Sequence, residues 1–193
     1  MADVNGYLEA VLAAHDEAVG CVAGLAEPIA RAVEAVIAAL DAGAPVLFCG
    51  NGGSAADAQH LAAELVGRFA RERRALPAQA LTVNTSVLTA VGNDYGFKDV
   101  FARQVAAFGA PGGVLVALST SGESENVSRA MDAARDAGMV TVALTGRDGG
   151  AVGRAADVHL NVSVGDTARV QEAHILIGHV ICALVEETVC ERP

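Results

Sequence analysis

Residues 114–124 read VLVALSTSGES. Five successive apolar residues, Val114 to Leu118, form a run too short for a helix and with no polar face. Such a run signifies a strand buried on both sides, which is the habit of parallel sheets. Three hydroxyl side chains follow, Ser119, Thr120 and Ser121, then Gly122 and Ser124, before a helical pattern over 124–137. Hydroxyl and N–H donors at the positive end of a helix favour a phosphate. The plainer reading is one serine as N-cap with the rest solvated. A cap needs one hydroxyl and this loop has four, so phosphate binding is favoured.

The same alternation continues outward. Residues 45–49, PVLFC, read as a strand that ends in GNGGS and leads to a helix over 54–68. Strands are predicted at 78–83, 140–145 and 158–162, and helical segments near 86–92, 98–108, 150–155 and 168–189. Apolar strands alternating with helices predict an α/β three-layer sandwich, with a parallel sheet of about five strands flanked by helices. Residues 5–41 carry helical spacing broken at Gly20 and Pro28, so two helices are expected there as an N-terminal extension. They are more apolar than a surface pair requires, and part of them is expected to pack against another copy of the chain. The expected organisation is one domain over 1–193, with helices to residue 41 and an α/β core over 45–190.

Composition narrows the function. The formal charge of −10 and an aromatic content of 4% argue against nucleic acid and anionic membrane as partners. A single phosphate held by backbone N–H groups remains compatible with that charge. Cys21, Cys49, Cys182 and Cys190 form no C-x-x-C pair, and reduced thiols in the cytosol are expected. The first residues lack the basic-then-apolar order of a signal peptide, and no uncharged apolar window of about 18 residues predicts a span. The expected location is cytoplasmic.

Ligands of open parallel sheets bind beyond the carboxyl ends of the strands. Polar segments fall there at 50–54, 119–124, 145–150 and 163–167. GNGGS is neither a P-loop nor a G-x-G-x-x-G turn. Its glycines allow close backbone approach, and the plainer reading is a tight turn with Ser54 as N-cap. His60 and Glu64 share one helix face, a weak metal signal, and Glu64 is equally placed to pair with Arg68. Gln171, His174 and His179 lie on an otherwise apolar helix, where histidines are ordinarily hydrogen-bonded core residues. His15 and His159 fall in that class or at the surface. Val91 to Gly96 is a Gly/Asn/Asp turn that also offers polar groups for sugar hydroxyls.

CGNGGSAADAQHLAAEL, AVGNDYGF, ALSTSGESENV and RVQEAHILIGHVI resemble, in order and spacing, the phosphoheptose (sedoheptulose-7-phosphate) isomerase family of the sugar isomerase, or SIS, fold group. The resemblance covers nearly the whole chain from residue 45. It implies interconversion of sedoheptulose 7-phosphate and D-glycero-D-manno-heptose 7-phosphate through an enediol(ate), the first step of nucleotide-activated heptose biosynthesis. It places phosphate on Ser119, Thr120, Ser121 and Ser124, and sugar on Asn51, Gly52, Gly53, Ser54, Asn93, Asp94 and Gln171. Glu64 and His179 match the acid/base pair, with Glu64 as carbon base. His60, Glu64, Gln171 and His179 match the zinc positions of zinc-containing members. Homotetramers with active sites at subunit interfaces are also implied. The rivals are a non-catalytic SIS module, such as one assisting a replication initiator, and an isomerase of another sugar phosphate with hydroxyl contacts near Asp166 and Thr167. Gln171 and His179 are about 12 Å apart along a helix. A kink near Gly178, or a second subunit, is therefore expected to complete the site.

Overall fold

The computed structural model describes residues 3–191. Two helices open the chain, α1 (Val4–Gly20) and α2 (Ala26–Asp41), joined by a 3-10 turn over Cys21–Leu25. Asp3 caps α1 through its side chain, and Pro28 falls in the first turn of α2, where a missing N–H costs nothing. Then follow β1 (Val46–Gly50), α3 (Gly53–Val66), β2 (Ala78–Ala80), α4 (Thr85–Asp94), a 3-10 turn at Phe97–Asp99, α5 (Ala102–Phe108) and β3 (Val114–Ser119). The chain ends with α6 (Glu125–Asp136), β4 (Val140–Gly146), α7 (Gly150–Ala155), β5 (Val158–Val162) and α8 (Thr167–Glu191).

All five strands are parallel, in the order β2-β1-β3-β4-β5. Strand side chains alternate between faces. Val46, Phe48, Val114 and Val116 join the core under α2, α3 and α8, while Leu47, Cys49, Leu115 and Ala117 join the core under α5, α6 and α7. Two buried faces explain why these strands are apolar throughout. Full burial of a leucine such as Leu115 contributes roughly 1.5–3 kcal/mol.

Strand β2 is shorter than the predicted 78–83. The Leu81 amide bonds the Phe48 carbonyl as the last rung, the Thr82 hydroxyl then turns to the Ala55 carbonyl, and Asn84 caps α4 at once. Helix α8 runs through Gly178, where a kink was expected, without a break in its helical assignment. Gly178 has a packing role instead, because a Cβ there would lie 2.5 Å from Leu61 Cδ2, so α3 and α8 approach closely. Among the described residues α8 is the helix long and apolar enough to cross a membrane by length and composition, and here it packs along α1, α2 and α3. Cys21, Cys49, Cys182 and Cys190 are unpaired; burial pushes the Cys49 and Cys182 thiols up to about 12.

Candidate active site

Strand order reverses between β1 and β3, and the cleft beyond their carboxyl ends is the topological switch point where ligands of open α/β sheets bind. Gly50 to Ser54 forms one wall and Ser119 to Ser124 the other. Gly52 is the N-cap of α3 and Ser124 that of α6, and neither makes a side-chain cap hydrogen bond. The predicted cap by Ser54 is not made, because Ser54 lies inside the first turn, buried under Gly50. Two helix N-termini thus open at the cleft with positive partial charge available to an anion.

The hydroxyl loop is held in shape from three sides. Ser119 and Ser124 bond Oγ to Oγ at 2.9 Å, and the Glu123 amide donates to Ser121 Oγ at 3.1 Å. Gly122 has φ +69°, and a Cβ there would lie 2.2 Å from the Gly149 carbonyl oxygen, so the loop rests directly on the Gly149–Gly150 turn after β4. The Val152 amide donates to the Gly122 carbonyl. Across the cleft, the Asn51 and Asn126 amides each donate to the other, at 2.8 and 2.9 Å. A hollow lined by Asn51, Gly52, Thr82, Leu88 and Phe97 adjoins the same wall.

A second constellation lies farther along α3 and α8, which run side by side. His60 Nε2 is 2.8 Å from His179 Nε2 and 3.2 Å from Glu64 Oε1, and the Phe69 ring packs on His179 with centroids 5.6 Å apart. One donor atom from each of His60, Glu64 and His179 lies within 4.8 Å of the others, an arrangement able to hold a metal ion. Imidazole and carboxylate donors suit zinc, and three protein ligands leave a fourth position open. Zinc at about 2.0–2.1 Å from tetrahedral donors spaces them about 3.3 Å apart. The His60–Glu64 spacing fits that demand, and the two imidazoles need to part by about half an ångström. His60 is half-exposed, so an ion has access. Before His60 on the same helix, Asp57 keeps one carboxylate oxygen buried without a partner; burial raises its pKa and His60 opposes that rise.

Comparisons with known proteins identify the family and the fold. A family model described as SIS domain matches residues 7–146. The curated phosphoheptose isomerase of Rhodospirillum rubrum is 56% identical over 165 residues, covering 86% of this chain and 88% of that protein. The chain belongs to the phosphoheptose isomerase family. Solved structures give the same answer for the fold. The phosphoheptose isomerase from Francisella tularensis superposes with TM-score 0.91 at 38% identity, covering 97% of this chain and all of that one. That from Neisseria gonorrhoeae gives TM-score 0.84 at 45% identity, covering 94% and 99%.

The phosphoheptose isomerase positions are not all in one place. Gln171 stands against Gly53, where a Cβ would lie 2.5 Å from its Nε2. It therefore belongs to the cleft end of α3, about 10 Å along the axis from His60. Asn93 and Asp94 end α4, exposed, with Asn93 Nδ2 donating to Asp94 Oδ1 at 2.8 Å. Arg68 pairs with Glu72 rather than with Glu64. The Asp166 carboxylate accepts the Ala168 amide at the start of α8. His15 pairs with Glu172 at 2.7 Å. His159 bonds Thr145 Oγ1, and burial lowers its pKa. His174 is fully buried with Nε2 on the Thr145 carbonyl; burial lowers its pKa to about 4. Sequence reasoning did not single out Asn126, Phe69, Arg73 or Glu186. Asn126 was within reach, two residues past Ser124 in the same segment, whereas the other three carry no local signal.

Proposed function

We propose that this protein is a phosphoheptose isomerase that interconverts sedoheptulose 7-phosphate and D-glycero-D-manno-heptose 7-phosphate. One observation carries the reading. Glu64 and His179, a carboxylate and an imidazole, are gathered on α3 and α8, and both helices begin at the cleft built for phosphate. A phosphate-binding module alone has no need of that pair.

Phosphate sits on the Ser119, Thr120, Ser121 and Ser124 hydroxyls and the α6 N-terminus. Asn51, Gly52, Gly53, Ser54 and Gln171 face the sugar, with Asn93 and Asp94 from α4. Glu64 takes the proton from C1 of the ketose while His179 gives a proton to the C2 oxygen, leaving a neutral enediol. Glu64 then returns its proton to C2, and His179 recovers one from the C1 hydroxyl as the aldehyde forms. His60, Glu64 and His179 would hold zinc in this reading, while Gln171, at the cleft end, stands apart from the other three expected ligands; a bound zinc would supply electrostatic stabilisation to negative charge developing on the C1 and C2 oxygens. The Glu64 carboxylate must loosen from any ion to act as base.

Glu64 is eleven residues beyond Gly53, about 16 Å along α3. That exceeds the reach of a seven-carbon chain anchored at the Ser119–Ser124 loop of the same protomer. In this reading a second copy completes each site, within a homotetramer. The exposed apolar side chains of α1, among them Tyr7 at 75% and Leu8 at 52% exposure, supply an association surface. In this reading residues 1–41 serve oligomerisation and 45–190 form the core of a single domain working in the cytoplasm.

The test is incubation with sedoheptulose 7-phosphate in D₂O, followed by NMR. Formation of the aldose is the expected result, with deuterium at C2 in the fraction of turnovers in which the Glu64 proton exchanges with solvent before it is returned. Binding without turnover replaces this reading with a phosphosugar-binding module.

A further inference from the structure

Beyond the last turn of α3 lies a buried ion pair that the proposed chemistry does not use. The Arg73 and Glu186 side chains are each 3% exposed, with Nε 3.3 Å from Oε2. That separation is an ionic contact without the alignment of a hydrogen bond. The guanidinium is committed elsewhere. Its terminal nitrogens donate to the carbonyls of Glu64 at 2.7 Å, Leu65 at 2.8 Å and Gly67 at 2.9 Å. These are orphan acceptors at a helix C-terminus, the end that attracts a cation. The Glu186 carboxylate accepts three successive backbone amides, Phe69 at 2.8 Å, Ala70 at 2.7 Å and Arg71 at 2.6 Å. Burial pushes the Glu186 pKa up, but the three amides and Arg73 outweigh it and hold the carboxyl below its ordinary range.

A buried ion pair is a poor device for stability alone, because a well-packed apolar replacement is often as stable. Its geometry here has a specific consequence. Arg73 holds the backbone carbonyl of Glu64. Glu186 holds the amide of Phe69, whose ring lies on His179. Both members of the acid/base pair are thus referenced to one rigid charged contact. We infer that Arg73 and Glu186 are positioning residues that set the Glu64–His179 geometry, Arg73 through the last turn of α3 and Glu186 through Phe69. This inference rests on the isomerase reading. Misplacement by about 1 Å can cost on the order of 100-fold in rate, so the pair matters for turnover more than for binding. The Ser119–Ser124 loop is at the other end of α3 and is untouched.

The experiment compares Glu186→Gln, Glu186→Asp, Phe69→Leu and the Glu186→Gln/Phe69→Leu double variant. Glu186→Gln lowers kcat about 10- to 100-fold with KM within twofold, since an amide cannot accept three N–H groups. Glu186→Asp recovers part of the loss. Phe69→Leu, which leaves the buried pair intact, lowers kcat in the same way, and the double variant is no slower than Glu186→Gln. The His179 ring resonance, identified by its loss in His179→Asn, moves in both single variants. That readout holds whether or not the protein turns over sedoheptulose 7-phosphate, so failure of the isomerase reading is seen separately as an inactive wild type. A loss of stability with kcat unchanged, a static His179 resonance, or kcat losses that multiply in the double variant would each overturn the inference.

Discussion

Asn51 and Asn126 exchange two amide hydrogen bonds across the cleft between β1 and β3. The pair joins the glycine-rich wall, proposed to face the sugar, to the first turn of α6, proposed to face the phosphate. Because each amide satisfies the other, both loops are set before a ligand arrives. Asn126→Ala leaves the Asn51 amide unpaired in a half-buried position, at a cost of about 1–3 kcal/mol. We expect a lower melting temperature and a KM raised about tenfold. Thermal denaturation and initial-rate kinetics on the same preparation check both.

Gly122 tolerates no side chain, since a Cβ would collide with the Gly149 carbonyl and its φ of +69° is costly for alanine. Gly122→Ala is expected to displace the hydroxyl loop and to weaken phosphate binding at least tenfold, while Gly112→Ala, strained by its own φ of +79° but with open space around it and at the opposite end of β3, is expected to cost stability and leave binding unchanged. Calorimetry with sedoheptulose 7-phosphate distinguishes the two.

Glu64→Gln removes the proposed carbon base and keeps the side-chain shape. Turnover should fall by 10²- to 10⁴-fold, the usual worth of a general base, while sugar-phosphate affinity stays within about threefold. Near-normal rates in this variant would shift the base to another group.

His174 is buried neutral, with its folded-state pKa lowered by burial to about 4 from the ordinary histidine value of 6.5. The unfolded chain therefore takes up the proton first as pH falls. Stability from this group is fully present above pH about 6.5 and is lost progressively towards pH about 4, on the order of 3 kcal/mol. Glu186 and Asp157, whose pKa values are lowered, add losses only below the ordinary carboxylate range. Urea midpoints measured from pH 7.5 to 4 should slope accordingly. In His174→Gln the slope above pH 5 should flatten.

The fold was legible because its strands are short, the central β1 and β3 are apolar on both faces, and glycine and hydroxyl loops punctuate them. Strand β2 was overread, since Leu81 to Val83 look like strand and only the capping of α4 by Asn84 shows where the sheet stops. The cleft was half legible. Ser119 to Ser124 is contiguous, but its partner Asn126 meets Asn51 from 75 positions away. The pairing of His60 with Glu64 follows from helical spacing, whereas their meeting with His179 depends on two helices packed at Gly178.

Sequence by itself determined the alternation of strands and helices, the hydroxyl loop and the reactive residue types, because local spacing and propensity encode them. Only the tertiary structure decided which residues meet. It set Gln171 beside Gly53 at the cleft, gathered His60, Glu64 and His179 about two turns along the same helices, and carried α8 unbroken through Gly178. It also placed the buried Arg73–Glu186 pair behind them. The physical reason is that side-chain contacts between distant segments follow from packing α3 against α8 over the sheet, and no local pattern along the chain records that packing.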